Sequence, residues 1–332
     1  MNVLSLFDGM SCGQISLTEL GFKINKYYAS EIEKAAIKVS STKFPNTIHL
    51  GSVINIDISK LEPIDLLIGG SPCNDLSSSG SRNGLSTTCK IEILTLEQYL
   101  QLKEEGFVFK GQSYLFWEYI RILTEIRKYN PNVKFLLENV VMDKKWKEIF
   151  DKTLGVEGVL INSNLVSAQN RKRFYWTNIC TIEQPEDLNI NLQDILEETL
   201  DWNKASIVGR KMTSQGIRQD NNKDLKTYQC LEVKKTMQNK SNCLTTFSKD
   251  NVLTPMPIGR HYYCYNRKLP YRNYTIKEYC RLQNVSDDYF YDNDKLIVSV
   301  SSLRKMLGNG WTINVIKHIM NYHNPFYQNE TF

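Results

Sequence analysis

The sequence predicts an α/β protein: a doubly wound, mostly parallel sheet with a smaller, irregular domain set into the chain. Three observations predict it. Short apolar runs alternate with amphipathic ones over residues 1–180. The alternation stops over residues 181–301, which turn polar and basic. An apolar-periodic segment returns after residue 301.

In order, "NVLSLF" reads as a strand and "GQISLTELGF" as a helix ending near Gly21. "KYYASE" is a second strand, and "KAAIKVSSTKF" a helix stopped before Pro45. "IHLGSV" and "IDLLIGG" are further short strands. In "YLFWEYIRILTEIRKY" apolar residues fall at 115, 116, 119, 120, 122, 123 and 126, a helical spacing that ends before Pro131. "KFLLENV" is another buried strand and "RFYWTNI" one more. Residues 86–112 interrupt the pattern as an insertion. "SSLRKMLGNGWTINVIKHIM", apolar at 313, 316, 319 and 320, is a closing helix that returns to the first domain. The expected organisation is a main domain of residues 1–180 plus 302–332, and a second domain with its hinge in residues 181–301.

With 332 residues, 41% hydrophobic and 23% charged, the composition is that of a soluble globular protein. No apolar run is long enough to span a membrane and no charged-then-apolar leader is seen, so a cytoplasmic protein without membrane partners is expected. Eight cysteines contain no C-x-x-C pair and stand with four histidines, which weighs against zinc sites and disulfide frameworks; no metal is expected. Residues 201–280 hold 15 Lys and Arg against 6 Asp and Glu, a net +9 that leaves the rest at −4 of the chain's +5. With Tyr262, Tyr263, Tyr265, Tyr271 and Tyr274 interleaved, this points to a polyanion partner rather than a merely solvated face.

"LLIGGSPCNDLSSSG", residues 66–80, sets Cys73 just beyond a buried strand, where doubly wound sheets bind ligands. Glu138 in "FLLENV" falls at the next strand end. "LFDGMSCG", residues 6–13, follows a strand and opens a helix with a glycine turn, although it is not G-x-G-x-x-G. Glu31 ends the second strand, the expected place for a carboxylate gripping ribose hydroxyls. Each signal is weak alone: a strand-end cysteine is usually a small apolar residue, and arginines two apart are usually surface charge.

In series, "LFDGMSCG", "ASE", "GGSPCNDLS", "FLLENV", "SAQNRKRFYW" and "LGNGW" resemble the DNA cytosine-C5 methyltransferases over nearly the whole chain, the variable segment excepted. "SLFDG", "ASE" and "IGGSPCNDLS" are most similar to the de novo branch, whereas "VSAQNRKRFYWTN" and the compact length are closer to bacterial and phage enzymes. The resemblance implies a Rossmann-like, S-adenosylmethionine-dependent methyltransferase sheet with S-adenosylhomocysteine as product. The main domain would be catalytic, and residues 181–301 the target-recognition domain. Cys73 would add to cytosine C6, Glu138 would serve N3, and Arg173 would hold the base with Gln169 and Arg171 supporting its loop. For the cofactor it carries over Phe7, Asp8, Gly9, Met10 and Ser11, then Glu31, Ile32, Ser52 and Val53, and Asn309, Gly310 and Trp311. Many bacterial relatives have Trp where Ile32 stands and Asp where Ser52 stands, so an aliphatic side chain would meet the adenine. Toward DNA it carries over Pro72, Ser77, Arg82 and Thr245, with the Ser77 to Arg82 loop as a lid over a flipped base. Asn74-Asp75 gives a mild preference for CpG-containing sites.

The implied partner is double-stranded DNA, bound by a monomer; in a restriction-modification setting a cognate restriction endonuclease would act separately. Two readings stay open beside this one. A tRNA cytosine-C5 methyltransferase would share the catalytic residues, and the long basic segment favours DNA over it. A catalytically inactive DNA-binding relative would lack the cysteine, the glutamate or the glycine turn, and all three are present. A dehydrogenase is disfavoured by the missing G-x-G-x-x-G.

Overall fold

A computed structural model of the chain describes residues 1–77, 84–198, 201–211, 213, 219–233, 239–259, 261–263 and 270–322. It divides into two compact units: residues 1–162, 172–185 and 313 onwards, and residues 163–171 with 186–312.

The first unit is built on a seven-stranded sheet. Its strands are β1 (Asn2–Leu6), β2 (Lys26–Ser30), β3 (Ile48–His49), β4 (Leu66–Gly70), β5 (Lys134–Val140), β6 (Val159–Asn162) and β7 (Lys172–Thr177). The spatial order is β3-β2-β1-β4-β5-β7-β6. β1 to β5 pair in parallel, whereas β7 runs antiparallel to both β5 and β6. The chain winds outward from β1 through β2 to β3, then returns to the other side with β4. The crevice between the carboxyl ends of β1 and β4 is therefore the switch point of the sheet, where ligands bind in this architecture.

Helices α1 (Cys12–Glu19), α2 (Lys34–Lys43), α3 (Leu96–Glu104), α4 (Phe116–Tyr129) and α5 (Lys144–Leu154) follow the strands. α1 is buried over most of its surface because it packs on α9 (Ile313–Asn321) as well as on the sheet. Glycine at position 13 lets α1 lie close to β4: a Cβ there would meet the end of the Ile68 side chain, which would have to shift. Aromatics fill the other face: Phe116 stacks on Phe150 with ring centroids 3.7 Å apart, and Phe150 meets Trp176 at 5.1 Å.

The second unit contains α6 (Leu192–Ile195), α7 (Ile276–Leu282), α8 (Val300–Asn309) and a five-stranded antiparallel sheet. That sheet orders β11 (His261–Tyr263), β9 (Thr227–Glu232), β8 (Asn203–Lys211), β10 (Val252–Thr254) and β12 (Arg272–Asn273). Ala205, Ile207, Leu231, Val233 and Val252 form its core. A small hairpin of β13 (Tyr291–Asp292) and β14 (Lys295–Leu296) completes it. Among the described residues no helix is long and apolar enough to cross a membrane.

Several sequence expectations are refined. "IHLGSV" keeps only two strand residues before a short 3-10 turn at Val53–Asn55. The expected single closing helix is two, broken between Asn309 and Ile313. The 86–112 insertion holds the nine-residue α3. The segment expected to be irregular carries the antiparallel sheet.

Candidate active site

Cys73 lies three residues past β4, and Glu138 sits in the adjacent β5 opposite Gly70. Glu138 is buried, and its Oε1 lies 3.0 Å from Nε of Arg173 on β7. A parallel strand and an antiparallel one thus bring a carboxylate and a guanidinium together beside the strand that leads to the thiol. Asn139, which sequence reasoning passed over inside "ENV", tightens the arrangement. Its Nδ2 donates to Ser71 O (3.2 Å) and Ser71 Oγ (3.0 Å), tying β5 to the loop that carries Pro72 and Cys73. Pro72 and Cys73 are half-buried, and Cys73 packs against the sheet's hydrophobic core. Ser77 bridges to Met142 just beyond β5. Arg82 lies outside the described residues.

At the other side of the switch point, Phe7, Gly9 and Ser11 all take left-handed backbone angles, with φ of 57°, 58° and 62°. For the two residues other than glycine this conformation costs on the order of 1–3 kcal/mol each, so it persists only where neighbours enforce it. Asp8 is one enforcer. Its buried carboxylate accepts from Ser11 Oγ (2.5 Å) and from Tyr27 OH (2.9 Å), a partner that sequence reasoning missed. Burial raises the Asp8 pKa, against the hydrogen bonds of Ser11, Ser5 and Tyr27, and Glu31 adds to the rise. Met10 is buried.

Glu31 is the second enforcer. Its Oε2 accepts Gly9 N–H (2.8 Å), and its Oε1 accepts the N–H groups of Ile32 (2.7 Å) and Glu33 (2.9 Å). A carboxylate has about four acceptor positions, so one remains for a hydroxyl donor without disturbing the loop. Next to it Ile32 is 64% exposed, an uncovered aliphatic surface. Ser52 is half-buried and Val53 buried, and Val53 O accepts from Arg121 (3.2 Å). A free acceptor, an exposed aliphatic side chain and an open glycine turn at one sheet edge fit a nucleoside with a polar tail.

The pattern of the C-5 cytosine-specific DNA methylase family matches residues 1–324. The chain belongs to that family. Among the C-5 cytosine-specific DNA methylases and other methyltransferases it is similar to, orphan methyltransferase M.SPRI of Bacillus phage SPR is 28% identical over 213 residues, 60% of this chain and 43% of that protein. Orphan methyltransferase M.Rho11sI of Bacillus phage rho11s is 29% identical over 178 residues, 53% of this chain and 32% of the other. Type II methyltransferase M2.ScrFI of Lactococcus lactis subsp. cremoris is 26% identical over 290 residues, 82% and 69%. The chain thus matches less than half of the length of either phage relative. The fold is shared with Spodoptera frugiperda DNMT2 (TM-score 0.58, 18% identity, 97% of this chain and 98% of that one). It is shared too with the Entamoeba histolytica methyltransferase EhMeth (TM-score 0.59, 15% identity, 97% of each).

The remaining expected site residues of this family member lie in the second unit. Arg171, 2% exposed, donates to Leu244 O (3.1 Å), Gly308 O (3.2 Å) and Gly310 O (2.9 Å), so its guanidinium serves backbone carbonyls. Gln169 is fully buried, donating to Leu282 O (2.9 Å) and accepting Leu244 N–H (2.7 Å). Gln283, another residue that sequence reasoning missed, donates to Leu307 O (2.6 Å) and Gly310 O (3.2 Å) and accepts from Thr312 (2.9 Å). Together these amides fix the Asn309–Trp311 turn, leaving Asn309 exposed and Trp311 buried. Thr245 Oγ1 closes its own turn on Phe247 O (3.2 Å) and Asp250 (2.6 Å).

The basic stretch is less available than its count. Lys240 is buried, giving its ammonium to the carbonyls of Asn164 (2.7 Å), Ser167 (3.3 Å) and Ile190 (2.5 Å), and burial lowers its pKa. Arg210 pairs with Glu232 (2.5 Å), and Arg272 with the fully buried Glu278 (2.7 Å). Lys204 is buried too. Tyr274, expected among nucleic-acid-facing aromatics, is instead a core residue whose hydroxyl donates to Ser241 Oγ (3.0 Å). Lys223, Lys226, Lys249 and Tyr271 are exposed. Lys234, Lys235 and Tyr265 lie outside the described residues.

Proposed function

We propose that this protein transfers a methyl group to C5 of a cytosine flipped out of a specific double-stranded DNA sequence, through a covalent bond between Cys73 Sγ and cytosine C6. The observation that carries this reading is the Glu138–Arg173 pair, set opposite the end of the strand that leads to Cys73. The Cys73 thiolate adds to C6, and the C5–C6 π pair shifts toward N3 and makes C5 nucleophilic. Glu138 shares a proton with N3 as charge develops there, and Arg173 holds Glu138 and balances the negative charge. S-adenosylmethionine supplies the electrophilic methyl group when bound. Loss of the C5 proton to base and expulsion of the Cys73 thiolate then restore the ring's double bond. Glu31 holds a ribose hydroxyl, Ile32, Ser52 and Val53 meet the adenine, and Phe7 to Ser11 meet the methionine end, as do Asn309 to Trp311. Pro72 stiffens the cysteine loop, and Ser77, Arg82 and Thr245 face the DNA. Arg171 and Gln169 act by positioning.

Residues 181–301 choose the sequence, with exposed lysines on phosphates and other side chains on base edges. Bisulfite sequencing of DNA from cells making the protein tests the whole reading. Methylcytosine at one recurring sequence, absent with Cys73→Ser, is expected; methylation confined to RNA would overturn it.

A further inference from the structure

We propose that Asp75 is a positioning residue for Cys73, and that the 86–112 insertion is the abutment it bears on. The proposal rests on reading Cys73 as the nucleophile. Asn74 and Asp75 part company in the structure: Asn74 is exposed, while Asp75 turns inward and is 4% exposed. Cys73 O accepts the N–H groups of Leu76 and Ser77, both at 3.0 Å, so residues 73–77 form one turn and move together. Whatever fixes Asp75 therefore fixes Cys73.

Asp75 is held from several sides. Its Oδ2 accepts Gln112 N–H (3.0 Å) and Ser113 N–H (3.1 Å), while its own N–H donates to Ser113 Oγ (3.1 Å). Its carbonyl accepts Gly84 N–H (2.9 Å). Gly111, at φ +66°, lies directly against the carboxylate, where a Cβ would collide with it. Two backbone donors on one buried carboxylate oxygen are charge-assisted bonds, and a carboxylate is buried only where such bonds satisfy it.

Those donors stand where the insertion ends and α4 begins. The insertion is itself braced: Lys110 N–H donates to Ser86 O and Thr88 N–H to Val108 O, each at 2.8 Å. Phe109 stacks on Tyr114 at 4.7 Å between ring centroids and tilts against Tyr99 at 5.0 Å. From α3, Tyr99 OH (2.5 Å) and Lys103 Nζ (2.6 Å) both reach the fully buried Glu118 of α4. The insertion is thus fastened to α4, and the start of α4 holds the cysteine turn. A nucleophile displaced by about 1 Å loses on the order of 100-fold in rate, which is the scale of effect such a brace controls.

The test uses the full chain and a duplex of the methylated sequence with 5-fluorocytosine at the target, where the C5 fluorine blocks release of the thiol. Asp75→Ala should slow covalent trapping on the order of 100-fold, with cofactor affinity by calorimetry unchanged. Asp75→Asn, which keeps an uncharged acceptor, should recover much of the rate. Ser113→Ala removes only the hydroxyl that receives Asp75 N–H; it should slow trapping less, and in the double variant with Asp75→Ala the loss should fall short of the product of the two single losses, because both groups fix one turn. Wild-type trapping by Asp75→Ala, or a parallel loss of cofactor affinity, overturns the proposal. Trapping by Cys73→Ser would instead overturn the reading beneath it.

Discussion

Arg171 and Arg173 stand two residues apart and spend their guanidinium groups differently. Arg173 sets Nε 3.0 Å from Glu138 Oε1, whereas Arg171 donates to the carbonyls of Leu244, Gly308 and Gly310. One is paired with a carboxylate at the strand ends; the other holds turns together. Arg171→Ala should therefore act on stability. Gly310 O keeps its bond from Gln283, and the two carbonyls of Leu244 and Gly308 left bare cost about 1–3 kcal/mol each, so a loss of at least about 2 kcal/mol and a Tm lower by roughly 4–8 °C are expected. Arg173→Ala should spare Tm far more and lower turnover on the order of 100-fold. Thermal unfolding and turnover measured side by side would expose a wrong division.

Glu138→Gln keeps shape and an acceptor but loses the acidic proton. Turnover should fall by a factor of roughly one hundred to ten thousand, while calorimetry finds cofactor binding intact. Lost binding would mean that Glu138 belongs to the cofactor's surroundings instead.

Asp8 gives a pH signature. Burial lifts its folded pKa above the ordinary 3.8. Between those two values the folded protein binds more protons than the unfolded chain, so this group's contribution is fullest below the unfolded pKa and falls as pH rises through the window. Asp8→Asn has no charge to desolvate. Its stability relative to the parent should climb across that window when both are unfolded from about pH 4 to about pH 8. A gap that stays constant with pH would contradict this.

Exposed and buried lysines should separate in salt. Neutralising Lys226 and Lys249 should weaken DNA binding at all sequences alike, and flatten the salt slope by up to about one unit for each phosphate no longer neutralised. Lys240→Met should leave the slope alone and lower Tm, because that ammonium serves three carbonyls. A salt slope altered by Lys240→Met would refute the assignment.

The doubly wound half was legible because strand and helix periods differ, and Gly13 or Pro131 punctuate them. The direction of β7 was not, since "RFYWTNI" reads the same whichever way it runs; the connection through residues 163–171 decides it. β6 has only four residues, too few for a period. The second sheet was hidden for a different reason. Its strands bury Lys204 and Glu232, and the Arg210–Glu232 pair neutralises charge internally, so burial there no longer follows hydropathy. In the site, Cys73, Glu138 and Glu31 stood out because strand ends can be read from apolar runs. Asn139, Gln283 and Tyr27 did not, because each acts on a backbone or side chain brought near only by folding.

The pairing of α1 with α9 has a consequence for how the chain is made. Ile313, Ile316 and Ile319 are fully buried, and Lys317 reaches Glu19 at 2.8 Å, so the last helix of the first unit closes over its first. Everything between residues 186 and 312 leaves the ribosome before that helix does. During synthesis the first unit must wait, one flank of α1 uncovered, while the second unit is already free to fold. A ribosome stalled after β12 has emerged but before α9 has holds a chain whose antiparallel sheet can form but whose larger sheet lacks its final cover.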